Sequence, residues 1–128
     1  MQTFLVTGAA GFIGSHSVEW LLKQGVRVVG VDNLRTGRLE NLATACASPD
    51  FEWVMADAGD EKAMRLLFQQ HHFVGVLHLA ALVSVPESFR EPALNYRLNV
   101  YTADSIARLC LEFRCNRLVF ASSAAVYG

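Results

Sequence analysis

The apolar run Phe4-Leu5-Val6 meets the glycine-rich turn Thr7-Gly8-Ala9-Ala10-Gly11-Phe12-Ile13-Gly14, which opens into the helical pattern Ser17-Val18-Glu19-Trp20-Leu21-Leu22. This is a strand, a tight turn and a helix in immediate succession. A helix N-terminus presents unpaired backbone N–H groups and a partial positive charge, so it attracts a phosphate. Glycines let the backbone turn sharply and approach a pyrophosphate with no Cβ in the way. The next apolar run, Val28-Val29-Gly30-Val31, ends in Asp32, 18 residues after Gly14. A glycine turn alone is a weak signal. Strand, turn, helix, strand and terminal carboxylate together point to a dinucleotide, with its pyrophosphate on the helix and its adenosine ribose on the carboxylate.

A carboxylate at position 32 accepts from ribose hydroxyls and repels a 2′-phosphate, which favours NAD over NADP. Arg35 and Arg38 nearby keep NADP as the alternative, and loop capping is the bland reading of Asp32. Asp57 follows the third apolar run. It is placed to accept from the adenine amino group, with the Ala58 N–H donating to the ring, or else it only opens the next turn. His78-Leu79-Ala80-Ala81 closes the fourth run, where the alanines leave space for the nicotinamide half. His78 itself reads as a core histidine. Ser122-Ser123 follows the fifth run, where a hydroxyl can meet a substrate alcohol or carbonyl, although two serines are also a common loop start.

Strand and helix signals alternate along the whole chain, which predicts a doubly wound parallel α/β sheet of Rossmann type with strand order 3-2-1-4-5. The expected strands are residues 4–7, 27–31, 51–55, 74–79 and 118–121. Expected helices cover residues 12–24, closed by Gly25, then 39–46, then a helix capped by Asp60 and running to Gln70, and one long helix over 93–113. The length of 128 residues suits one domain. The pattern stops just after the fifth strand, so the sequence reads as the front portion of a longer protein whose substrate domain is absent. Net charge is -1 with no basic run, which argues against nucleic acid. No apolar stretch is long enough for a membrane span. Met1-Gln2-Thr3 leads directly into the first strand, so no signal peptide is expected. Cys46, Cys110 and Cys115 lack metal spacing and read as reduced thiols of a cytoplasmic protein, and no histidine pair has metal context. Only 18% of residues are charged, so some apolar surface is expected to be covered by something else.

These residues resemble the amino-terminal part of the extended short-chain dehydrogenase/reductase family, in particular its nucleotide-sugar epimerase and dehydratase branch. The resemblance spans the whole chain. It rests on Thr7-Gly8-x-x-Gly11-x-x-Gly14, Asp32-Asn33-Leu34, Asp57, His78-Leu79-Ala80-Ala81, Ser84-Val85-Pro86-x-Ser88, Asn99-Val100 and Ser122-Ser123-Ala124-Ala125-Val126-Tyr127-Gly128, in that order.

The resemblance implies an NAD-dependent isomerase acting on a UDP-hexose, with hydride passing transiently from sugar C4 to NAD. Gly8, Gly11, Phe12, Ile13 and Gly14 would hold the pyrophosphate. Asp32, Asn33, Leu34, Arg35, Thr36 and Gly37 would surround the adenosine ribose. Leu79, Ala80, Ala81 and Val83 would line the nicotinamide half, with Asn99 in support. Ser123 would be the active-site serine on the sugar 4-hydroxyl, and Ser84 would lie near the sugar. Dehydratases of this branch carry carboxylates where Ala124 and Ala125 stand, so dehydration is not expected. Some galactose epimerases carry Lys where Val83 stands, which loosens the match to that substrate. The family's Tyr-x-x-x-Lys does not occur after Ser123, so the chain alone is expected to be inactive. The resemblance also points to a homodimer, and the apolar positions of the 93–113 helix cover more than one face. A catalytically silent NAD-binding scaffold, or a decarboxylase or reductase on the same framework, is the competing reading.

Overall fold

The computed structural model describes residues 1–80, 90 and 92–121. Five parallel strands form one sheet in the order β3-β2-β1-β4-β5: β1 Thr3–Thr7, β2 Arg27–Asp32, β3 Phe51–Met55, β4 Phe73–His78 and β5 Leu118–Phe120. This is the predicted order. The strands carry β-branched and aromatic residues that fill a surface buried on both sides, as parallel sheets require. β1 sits at the centre. Thr7 at its C-terminal end is level with Val31 of β2 and His78 of β4.

Between the strands lie α1 (Phe12–Lys23), a 3₁₀ turn (Leu39–Leu42) continuing into α2 (Ala43–Cys46), α3 (Glu61–Gln70), α4 (Pro92–Asn95) and α5 (Thr102–Glu112). The connections step outward from β1 in both directions. Right-handed crossovers therefore put α1 and α2 on one face and α3 and α5 on the other. Each face has its own core. Val6, Val18, Val28 and Leu42 pack on the α1 side, and Leu5, Val31, Met64, Phe73, Ile106 and Leu109 on the α3/α5 side. Such burial contributes about 1.5–3 kcal/mol per large apolar side chain.

The local signals hold where the chemistry is specific. Asp60 Oδ1 accepts from the Ala63 N–H at 3.2 Å and caps α3. Gly25, with φ +81°, ends α1 and donates to the Leu22 carbonyl. Three expectations need correction. The segment 39–46 is not one helix but a 3₁₀ turn followed by a single α turn. Ala63, Leu66, Leu67 and Gln70 stand at helical spacing in the sequence, but the buried stripe of α3 is Met64, Leu67 and Phe68, with Leu66 turned outward. The long helix over 93–113 is interrupted by a π-helical stretch, Tyr96–Tyr101. An extra residue per turn there rotates the faces. Ile106 and Leu109 reach the core, while Tyr96 and Val100 stay exposed.

Two further observations bear on the surface. Phe12, Ile13 and Trp20 of α1 and Val119 of β5 are all at least 60% exposed, and they flank an apolar groove floored by Phe4 and Leu77. The three cysteines are free thiols, with Cys110 and Cys115 buried at the end of α5. Among the described residues no helix is long and apolar enough to cross a membrane.

Candidate functional site

Strand order reverses between β1 and β4, with helices on opposite faces, so a crevice opens beyond the C-terminal ends of β2, β1 and β4. The sequence motifs converge there. Gly8 leaves β1 with φ +69°, and a Cβ on it would lie 2.8 Å from both the Ala80 nitrogen and the Leu79 carbonyl carbon. A Cβ on Gly14 would lie 2.0 Å from the Gly8 carbonyl oxygen. These two glycines let the turn and α1 close onto β4. Gly11 differs: it is extended (φ -75°, ψ 174°), and among the described residues its Cβ would meet only the Gly8 oxygen at 3.3 Å. No other described residue crowds the space in front of Gly11.

Gly11 is the N-cap of α1. No side chain caps this end, and no acidic residue occupies the first turn. The donors of the first turn and the helix dipole are therefore available to an anion.

Asp32 ends β2 almost fully buried. Its Oδ2 accepts from the Ala10 N–H at 2.9 Å, and its Oδ1 accepts from the Leu34 N–H at 2.8 Å. The carboxylate thus joins the glycine turn to the loop after β2. Each carboxylate oxygen keeps lone-pair capacity beyond these two bonds. Asn33 Oδ1 accepts from the Arg35 N–H at 3.0 Å, and Leu34 takes φ +61°. This folds the loop back, so that Gly37 lies against Ala10 and Asp32: a Cβ on it would be 2.9 Å from Asp32 Oδ2. Asn33, Arg35 and Thr36 are exposed on the crevice-side loop. Asp57 lies two residues beyond Met55, the register partner of Asp32. Its Oδ1 accepts from the Gly59 N–H at 2.8 Å, so it does open the turn after β3. Ala58 beside it is buried.

On the other side of β1, Thr7 and His78 form a buried pair, with Thr7 Oγ1 2.6 Å from His78 Nδ1. The same hydroxyl oxygen accepts from the Leu79 N–H at 3.0 Å and the Ala80 N–H at 3.2 Å. Its own proton is then left for Nδ1, which makes His78 a neutral imidazole protonated at Nε2. Burial fits this by lowering the His78 pKa to about 4. His78 is therefore a satisfied core histidine, as expected. It also helps to hold Leu79 and Ala80 against Gly8. Asn99 lies half-buried on the π-helical stretch. Ala81, Val83, Ser84 and Ser123 lie outside the described residues.

Sequence reasoning missed one side chain in this crevice. Asn41 donates from Nδ2 to the Ala10 carbonyl at 2.9 Å, alongside the Arg38 N–H at 3.0 Å. Asn41 belongs to none of the quoted motifs, and only the folded loop brings it to the glycine turn. Among the described residues no cluster of His, Cys, Asp or Glu could hold a metal ion.

Known proteins share the fold and much of the sequence. The sequence profile described as GDP-mannose 4,6 dehydratase matches residues 5–128. UDP-glucose 4-epimerase 1 of Oryza sativa is 38% identical over 134 residues, covering 100% of this chain and 38% of the rice protein. The structure of the UDP-Glc/GlcNAc 4-epimerase from Campylobacter jejuni superposes with TM-score 0.91 at 30% identity, covering 100% of this chain and 39% of that one. The UDP-glucose 4-epimerase from Bifidobacterium longum, solved in complex with NAD+ and UDP, gives TM-score 0.89 at 33% identity, over 99% of this chain and 38% of that one. The chain thus spans well under half the length of these relatives. Its glycine turn, terminal Asp32 and five-stranded order agree with the match over residues 5–128: the chain belongs to the GDP-mannose 4,6 dehydratase family, within the epimerases and dehydratases of the extended short-chain dehydrogenase/reductase group.

Proposed function

We propose that this chain is the NAD-binding portion of a nucleotide-sugar 4-epimerase, acting in the whole protein on a UDP-hexose. The observation that carries this reading is the union of Asp32 with the glycine turn through the Ala10 N–H, at the point where the strand order reverses. A buried carboxylate with spare lone pairs beside an uncapped helix N-terminus supports the binding of a ribose diol next to a pyrophosphate. The open face of Gly11 fits a ligand that approaches the backbone there.

In this reading the first turn of α1, with Gly8, Gly11, Phe12, Ile13 and Gly14, holds the pyrophosphate. Asp32 and residues 33–37 take the adenosine ribose, and Asp57 with Ala58 takes the adenine edge. Leu79, Ala80, Ala81, Val83 and Asn99 flank the nicotinamide half. NAD, when bound, supplies the hydride acceptor and donor for C4 of the sugar. Ser123 hydrogen-bonds the 4-hydroxyl, and Ser84 lies near the sugar. Ala124 and Ala125 offer no carboxylate, which supports epimerisation over dehydration despite the family's description. In this reading the whole protein works in the cytoplasm as a homodimer. Of the apolar residues of the 93–113 helix, Ile106, Leu109 and Phe113 pack into this domain's own core, and among the described side chains Tyr96, Val100 and Tyr101 stay exposed and available to a partner.

Isothermal titration tests the cofactor reading. The chain is expected to bind NAD and to bind NADP more weakly. Equal affinity for the two would remove Asp32 from the ribose.

A further inference from the structure

Ala10 is held through both its N–H and its carbonyl. It is fully buried, and its N–H is taken by Asp32 Oδ2. Its carbonyl is bonded twice, by the Arg38 N–H at 3.0 Å and by Asn41 Nδ2 at 2.9 Å. The following N–H, of Gly11, donates to the Gly8 carbonyl at 3.1 Å. Both ends of the Ala10–Gly11 peptide are therefore fixed, with its carbonyl turned toward the loop after β2. Apart from Asp32, the only side chain in this set is that of Asn41, an exposed residue that reaches a buried acceptor.

We infer that Asn41 is a positioning residue of the dinucleotide site, holding the Ala10–Gly11 peptide so that its carbonyl dipole stays away from the N-terminal mouth of α1. This rests on the dinucleotide reading above. A glycine turn is intrinsically mobile, and an anion site built from backbone N–H groups works only while those groups converge. A peptide free to rotate at Gly11 would turn a carbonyl oxygen toward the pyrophosphate and repel it. Fixing it beforehand spares the ligand that ordering cost. Asn suits the task because its amide donates without bringing a charge to the phosphate.

The test compares the unaltered chain with Asn41→Ala, Asn41→Asp and Asn41→Gln by NAD titration and by thermal melting without ligand. Loss of one such hydrogen bond is expected to weaken NAD about tenfold in Asn41→Ala. Asn41→Asp should bind more weakly still, because it sets an acceptor and a negative charge against the Ala10 carbonyl. Asn41→Gln keeps the donor on an exposed arm and should bind like the parent. Melting temperatures should stay close to the parent's, since the residue is exposed. Equal NAD affinity in the parent and Asn41→Ala, or an equal loss in Asn41→Gln and Asn41→Ala, overturns the inference. Hydrogen exchange at the Gly11 amide reads the clamp without any ligand: it should speed up in Asn41→Ala, and unchanged exchange also overturns the inference. A parent chain that binds no NAD counts instead against the dinucleotide reading.

Discussion

The Ala10 N–H donates to Asp32 Oδ2 at 2.9 Å across 22 residues of sequence, so the carboxylate proposed for the ribose is also a strut of the glycine turn. The other oxygen takes the Leu34 N–H. Asp32→Ala therefore leaves two backbone donors without their partner at a buried position. A lost partner of this kind costs about 1–3 kcal/mol. The variant should lose stability in urea and, separately, lose its preference for NAD over NADP in titration. Full stability would mean that the strut carries no load, and an unchanged dinucleotide ratio would mean that the carboxylate does not reach the ribose.

Gly11 and Gly14 belong to one motif but answer to different demands. A Cβ at Gly14 would lie 2.0 Å from a backbone oxygen, which no rotamer can relieve. Gly14→Ala should cost several kcal/mol, as strained or overpacked sites do, and lower the melting temperature sharply. At Gly11 the nearest atom is 3.3 Å away and φ is ordinary. Gly11→Ala should keep its circular dichroism spectrum and melting temperature while losing NAD affinity, because its Cβ intrudes on the ligand and not on the protein. Retained NAD affinity in Gly11→Ala would place the pyrophosphate elsewhere.

That difference also marks what the sequence could and could not disclose. The five strands, their order and the convergence of Gly8, Asp32, Asp57 and Leu79 on one edge follow from periodicity and the crossover rule, because each depends on short stretches of chain. The π-helical stretch at Tyr96–Tyr101 was not legible, since the apolar residues of 93–113 already recur on more than one face and a rotation of the face within such a run leaves no separate mark. Nor was Asn41: its bond to Ala10 spans 31 residues and exists only once Leu34 and Gly37 have folded the loop back. The pairing of Thr7 with His78 spans 71 residues and depends on register across β1 and β4. Side-chain partners set by register or by loop closure carry no local signature.

The end of α5 carries a second consequence of backbone geometry. Arg114 adopts φ +60°, the Cys115 N–H reaches the Cys110 carbonyl at 2.8 Å, and the Arg114 N–H reaches Leu111 at 3.4 Å. This is a Schellman ending, in which the left-handed position is usually glycine and the residues at its two ends pack together. Here those ends are Cys110 and Cys115, both in the core, where burial beside Cys115 pushes the Cys110 thiol up to about 12. Arg114→Gly relieves the left-handed strain and should stabilise the chain by about 0.5–1 kcal/mol, net of the added freedom of the unfolded state. A chemical denaturation midpoint that falls would show that the Arg114 side chain contributes more than its backbone costs.

His78 makes the stability of the chain depend on pH in a definite direction. Burial lowers its pKa from 6.5 to about 4 in the folded state. The folded chain therefore holds it neutral while the unfolded chain takes up a proton first. The contribution is fully present above pH 6.5 and is lost as pH falls toward about 4, below which both states are protonated and the loss levels off. Integrated over that window, the linkage amounts to about 3 kcal/mol. The geometry gives the same sign, because a proton on Nδ1 would face the Thr7 hydroxyl proton and force it away, disturbing the bonds to Leu79 and Ala80. His78→Asn places an amide oxygen near the Nδ1 position and does not titrate. Urea midpoints measured for both proteins across the window should converge as pH falls, the parent losing stability faster. Other histidines and carboxylates contribute equally to both curves and cancel in the difference. Parallel curves would show that His78 takes up its proton as readily in the fold as in the unfolded chain, and that Thr7 is held in some other way.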